Sequence, residues 1–167
     1  LQKLDVQTML VKDSDYSTGF PSKKPKEWIG TNKKFKNLIS EFKPDAVFID
    51  RQSHFGIDTI KFKIPLFILL RGHYWSEIEW AKKTLYKGPL MRTVIWFRNN
   101  IAEKCFRNAT AVLPICEYLE DVVKEHHPNQ STFPFLEGID AERWYNVEGM
   151  ELKHPCVGLL QGADWWG

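Results

Sequence analysis

Two short runs inside Asn108 to Trp144, in this order, decide the fold: Ala109-Thr-Ala-Val-Leu-Pro-Ile115 and Thr132-Phe-Pro-Phe-Leu-Glu-Gly-Ile-Asp-Ala-Glu-Arg-Trp144. The first is the kind of apolar run that fills a strand buried on both faces. Between them, Glu117 to Glu125 sets Leu119, Val122 and Val123 on one side of a helix, and His126-His-Pro-Asn129 stops it. The chain then re-enters an apolar segment at Phe133 before a turn at Gly138. Parallel strands need a long crossover, so two parallel strands joined by one helix is the economical arrangement. In such sheets ligands sit beyond the carboxyl ends of the strands, which makes the Glu137-Gly138-Ile139-Asp140 turn a candidate cleft wall. A plain glycine turn with Ile139 packed inward fits the same spacing.

Working upstream, Ile64-Pro-Leu-Phe-Ile-Leu-Leu70 is the strongest strand in the chain, and Arg71-Gly72-His73 stands at its carboxyl end. Gly72 lets the backbone bend or approach a ligand. The Arg71 guanidinium offers a planar fork of donors suited to phosphate, and the His73 imidazole can carry or pass a proton, so together they suit a phosphate-bearing substrate. The competing reading is a surface histidine with Arg71 pairing a local acid such as Glu77. A further buried strand is expected over Asp45 to Asp50, ending in a loop that carries His54. Ahead of it, Phe35, Leu38, Ile39 and Phe42 mark the core face of a helix over Asn32 to Phe42, which Pro44 ends. Val6 to Val11 reads as one more strand, and Gly56 to Lys61 as a brief helix or turn. From Met91 to Arg107 a long helix turns Met91, Val94, Ile95, Ile101, Ala102, Cys105 and Phe106 inward. Between these, Trp75, Trp80 and Tyr86 alternate with Lys82, Lys83 and Lys87, a mixture that suits either a lipid headgroup interface or a helical excursion packed over the sheet. Together these elements give an α/β fold with a mainly parallel sheet of at least five strands and helices on both faces.

Ala111-Val-Leu-Pro-Ile-Cys-Glu-Tyr-Leu119 and Leu136-Glu-Gly-Ile-Asp-Ala-Glu-Arg-Trp144, in that order, resemble the end of the N-terminal domain of retaining, nucleotide-sugar-dependent glycosyltransferases of the GT-B type, the glycosyltransferase family 4 group. Cys116 stands where that family has a helix-capping serine and Glu137 where it has asparagine; Phe48 and Asp50 replace its histidines, and Gly72-His73 reverses its His-Gly pair. The resemblance implies a Rossmann-like acceptor-side domain over residues 1–150, lacking its first strand. Residues 151–167 would be a linker and the first strand of an absent donor-binding domain. It implies a hexosyltransferase whose fragment is inactive alone, with a nucleotide-sugar donor, a glycan or lipid-linked acceptor and peripheral membrane contact. His73 would be catalytic, with Arg71, Gly72, His54, Cys116, Glu117, Glu137 and Gly138 binding substrate. A non-catalytic Rossmann-like module docking on a membrane or a partner protein is the alternative, and an epimerase of the same architecture a third.

With 167 residues and 43% hydrophobic content, the chain can bury one substantial core. A formal charge of +2 is too mild for the strongly basic face of a nucleic-acid binder, so no nucleic acid is expected. The cysteines Cys105, Cys116 and Cys156 are far apart, without a CxxC, which supports neither a metal site nor a disulfide scaffold. A reducing cytoplasmic setting, at the cytoplasmic membrane face where the acceptor demands it, is the simplest. No cofactor is expected.

Overall fold

The computed structural model describes residues 6–12, 15–16, 33–136 and 138. The chain separates into two compact units, Leu1–Glu137 and Gly138–Gly167, and every helix and strand among the described residues belongs to the first. The order is α1 (Lys33–Phe42), β1 (Val47–Asp50), α2 (His54–Lys61), β2 (Leu66–Leu70), α3 (Tyr74–Thr84), α4 (Pro89–Asn108), β3 (Ala111–Pro114) and α5 (Glu117–His126). The result is an α/β, Rossmann-like fold: a parallel sheet in the order β1-β2-β3, flanked by helices.

Register explains the core. Ile49, Ile68 and Val112 stand opposite one another across the three strands, and in a pleated strand every second residue shares a face. Leu66, Ile68, Leu70 and Val112 therefore turn together toward Ile78, Ile95, Ala102, Phe106, Leu119 and Val123 of the helices, all buried in one cluster. The closest approach lies between α2 and α4. A side chain at Gly56 would begin 2.7 Å from Cys105 Sγ and 3.1 Å from Ile49 Cδ1, so only glycine lets the helix pass.

The expected strand over Ile64 to Leu70 begins instead at Leu66. Ile64 N–H closes the end of α2 on Thr59, Lys63 takes a left-handed backbone (φ 57°), and Pro65 has no N–H for a ladder. Among the described residues the sheet has three strands rather than five or more. The apolar run after α5 contributes one bridge, Val112 to Thr132, and its backbone also bonds Val112 and Pro114. Thr132 Oγ1 donates to Glu120 of α5 at 2.7 Å, which fixes Thr132 toward the helices and Phe133 and Phe135 toward the opposite sheet face. Among the described residues Val6 to Val11 pairs with no strand; Val6, Met9 and Leu10 are exposed, and a run that pairs with no strand gains nothing by being extended. α4 starts two residues before its expected limit, because Pro89 fits the first helical turn. Met91, expected inward, is exposed there. The linker and terminal strand expected within 151–167 lie outside the described residues, as does Glu137.

Candidate functional site

The carboxyl ends of β1, β2 and β3 lie side by side, so the residues that follow them meet at one edge of the sheet. After β2, Gly72 O accepts from Tyr74 N–H at 2.9 Å while His73 holds φ −78° and ψ 79°, the geometry of an inverse γ-turn. That turn points the His73 ring back over α3, where Nδ1 accepts the Ser76 N–H at 3.2 Å and caps the helix. A neutral imidazole that accepts at Nδ1 must carry its proton on Nε2. With Nδ1 engaged in that cap, a neutral His73 presents the Nε2 N–H as its remaining donor. Gly72 keeps ordinary φ; a Cβ there would come within 2.7 Å of Glu77 Oε1, the far end of a flexible side chain that can move aside.

Arg71 pairs with Asp50 of β1 at 3.6 Å, both side chains half-exposed, so the expected partner Glu77 is replaced by an acid across the strand pair. Next to them Arg51 adopts a left-handed backbone with φ 81°, unusual for a residue with a side chain. Ser53 then caps α2 by accepting Phe55 N–H at 3.3 Å. His54 is the first residue of that helix, half-buried with Nε2 sealed from solvent, and not an exposed loop histidine.

After β3, Cys116 is the N-cap of α5 but makes no side-chain cap bond, in line with the poor capping ability of a thiol. Glu117 is exposed in the first turn, where a carboxylate favours the positive end of the helix. Tyr118, also exposed, sets its ring 6.0 Å from that of His73. The structure thus gathers Arg71, Gly72 and His73 with Cys116 and Glu117 at neighbouring strand ends, places His54 at the start of α2 after β1, and shows Gly138 with open space where a side chain would stand. Sequence reading missed Asp50, Arg51 and Tyr118. Asp50 was legible as the last residue of a strand, but the Arg51 backbone has no sequence signal.

Behind the edge, Trp75 stacks on His126 with ring centroids 4.1 Å apart and donates from Nε1 to Glu103 at 3.3 Å. His127 lies against the same Glu103, its Nε2 3.3 Å from the carboxylate. Burial lowers the affinity of His127 for a proton, Glu103 opposes that, and Arg107 and His126 reinforce it. Trp75, Trp80 and Tyr86 all pack against the core, so these rings belong to a packed excursion and not to a lipid interface. Among the described residues no group of His, Cys, Asp or Glu is arranged to hold a metal, and no helix is long and apolar enough to cross a membrane.

No protein-family model and no solved structure matches the chain. Among curated proteins it is 37% identical over 73 residues to the ribosomal RNA small subunit methyltransferase Nep1 of Pyrococcus furiosus, an overlap of 38% of this chain and 33% of Nep1. The chain thus spans about a third of that relative's length. This overturns the resemblance to GT-B glycosyltransferases of family 4, and with it the hexosyltransferase activity, the nucleotide-sugar donor, the glycan or lipid-linked acceptor, the peripheral membrane contact and the exclusion of nucleic acid. The physical reason lies in the motifs quoted for it. A strand, a crossover helix and a Gly-Ile-Asp turn are features of parallel α/β architecture, which hosts many chemistries. The positions that would have carried the glycosyltransferase chemistry hold Phe48, Asp50, Cys116 and Glu137 instead. Over those 73 residues the chain is similar to part of a ribosomal RNA methyltransferase.

Proposed function

We propose that this chain is the RNA-holding α/β part of an RNA-directed methyltransferase, and that it takes a phosphate of the RNA at the carboxyl end of β2. One observation carries the reading: Arg71 and the Nε2–H of His73 are donors on one short turn at a parallel-sheet edge, the position where such folds bind ligands. The reaction class rests on the likeness to Nep1, whose name gives a ribosomal RNA substrate and methyl transfer.

The local chemistry favours an incoming phosphate. A half-exposed ion pair such as Arg71–Asp50 contributes only about 0–1 kcal/mol, so the Asp50 pair by itself opposes an incoming phosphate weakly. The cap on Ser76 keeps the His73 ring from rotating, so its remaining donor is already oriented when the phosphate arrives. Tyr118, exposed beside His73, offers a ring face on which an unpaired base can stack. These residues would hold the RNA; the transferred methyl comes from the donor.

The test is fluorescence anisotropy with a labelled single-stranded ribosomal RNA fragment, together with transfer of labelled methyl from S-adenosylmethionine to that RNA. Charge-assisted hydrogen bonds contribute about 1.5–3 kcal/mol, so Arg71→Gln is expected to weaken RNA binding roughly tenfold or more. Absence of RNA binding by the parent chain, or full binding by Arg71→Gln, would overturn the reading.

A further inference from the structure

The formal charge of +2 is unevenly spread. From Trp80 to Ala102 the chain carries Lys82, Lys83, Lys87, Arg92 and Arg98 and no Asp or Glu, so five positive charges there stand against a net −3 elsewhere. This segment is the far half of an antiparallel pair of helices. Tyr74 Oη, at the start of α3, bonds Asn99 Oδ1 at 3.4 Å, and Trp75 bonds Glu103, so the beginning of α3 lies beside the second half of α4. α4 must deliver the chain to the amino end of β3, which puts Asn99 level with the His73 turn. The half of α4 between Pro89 and Asn99, about 15 Å long at ~1.5 Å per residue, then leads away from β3.

Burial agrees with that projection. Ile95 is the first buried residue of α4, whereas Leu90 is 73% and Trp96 59% exposed. Lys82 is taken up by Glu79 at 2.6 Å, but Lys83, Lys87 and Arg92 form no ion pair among the described residues. Arg92 and Trp96 are one turn apart on the same side of the helix, a cation beside an exposed indole face.

We propose that the projecting ends of α3 and α4 form a nucleic-acid arm, in which Lys83, Lys87 and Arg92 take phosphates of a single-stranded RNA and Trp96 stacks on one of its bases. The arm rests on the RNA reading above and adds to it a second surface, on the side of the sheet edge where Arg71 and His73 stand. The charge segregation matches a polyanion, and cations interleaved with an exposed aromatic ring are the pattern that holds unpaired strands without reading their sequence.

The experiment compares the parent chain with Lys83→Gln/Lys87→Gln/Arg92→Gln and, separately, Trp96→Ala. The probes are the labelled single-stranded ribosomal RNA fragment and, in parallel, vesicles of phosphatidylglycerol and phosphatidylcholine. Circular dichroism confirms that the exposed substitutions leave the fold intact. The triple variant is expected to bind RNA at least tenfold more weakly at low salt. Its plot of log affinity against log salt should be shallower by about 2, near 0.7 for each phosphate of a single strand that the protein no longer neutralises. Trp96→Ala should weaken binding with the salt slope unchanged. If the parent binds RNA and the triple variant binds equally well with the same slope, the arm is wrong while the Arg71 site stands. Binding to the anionic vesicles that the triple variant abolishes, with RNA binding unaffected, overturns the arm as an RNA surface. Failure of the parent to bind RNA overturns both.

Discussion

The imidazole of His73 has one nitrogen committed to the backbone of Ser76, and that divides its contribution into two separable parts. His73→Ala removes the cap of α3 as well as the outward donor, and a missing cap costs about 0.5–2 kcal/mol. His73→Asn keeps a side-chain oxygen able to cap while removing the imidazole. Thermal denaturation should therefore find the alanine variant melting several degrees below the parent and the asparagine variant close to it, while both lose RNA affinity. Equal melting of the two would show that the cap contributes little. Cys105 makes a second residue-scale prediction. Burial between α2 and α4 pushes its thiol up to about 12, against only a weak bond to Ser53 O, so very little thiolate forms near neutrality. Native alkylation near pH 8, read by peptide mass, should label the half-buried Cys116 well before Cys105.

Between elements, the crossing of α2 and α4 tolerates no added atom. Gly56→Ala would press a methyl on Cys105 Sγ and Ile49 Cδ1, and overpacking of this kind costs about 1–3 kcal/mol. Urea denaturation should show that loss, and Cys105→Ala in the same chain should return part of it; if the two changes simply add, the clash is not the cause. The α3, α4 and α5 junction has a pH signature. His127 holds its proton less tightly when folded than the ordinary value of 6.5, chiefly through burial, so on acidification the unfolded chain takes up that proton first. Its contribution is complete above the unfolded pKa and is lost as pH falls from there through the lower folded value. His127→Gln should flatten that part of the urea-midpoint profile; an unchanged slope would place the titration elsewhere. Much of this level was legible in advance. The apolar runs ending at Asp50, Leu70 and Ile115 and the amphipathic turns of α1 and α5 announced themselves, because burial imposes a period on side chains. The edges were not: Pro65 trimmed β2, and Val6 to Val11 had the pattern of a strand but no neighbour to pair with among the described residues.

On the scale of the whole molecule, chemistry was harder to read than architecture. Arg71 and His73 were visible as neighbours of a strong strand, yet which nitrogen His73 keeps free follows from a γ-turn that no residue type encodes. Net charge misled for a different reason: summed over the chain it is near zero, while its sign changes between the α3 to α4 segment and the rest. In the arm proposed above, the positive charge of Lys83, Lys87 and Arg92 turns an approaching polyanion toward the ends of α3 and α4 before it touches, which raises the association rate and leaves the dissociation rate to the short-range interactions. Stopped-flow mixing with RNA should accordingly find the on-rate falling steeply with salt and the off-rate nearly constant, and Lys83→Gln/Lys87→Gln/Arg92→Gln should slow encounter more than it hastens escape. On the RNA reading proposed above, the packed core sets where an RNA rests and the uneven charge sets how soon it arrives.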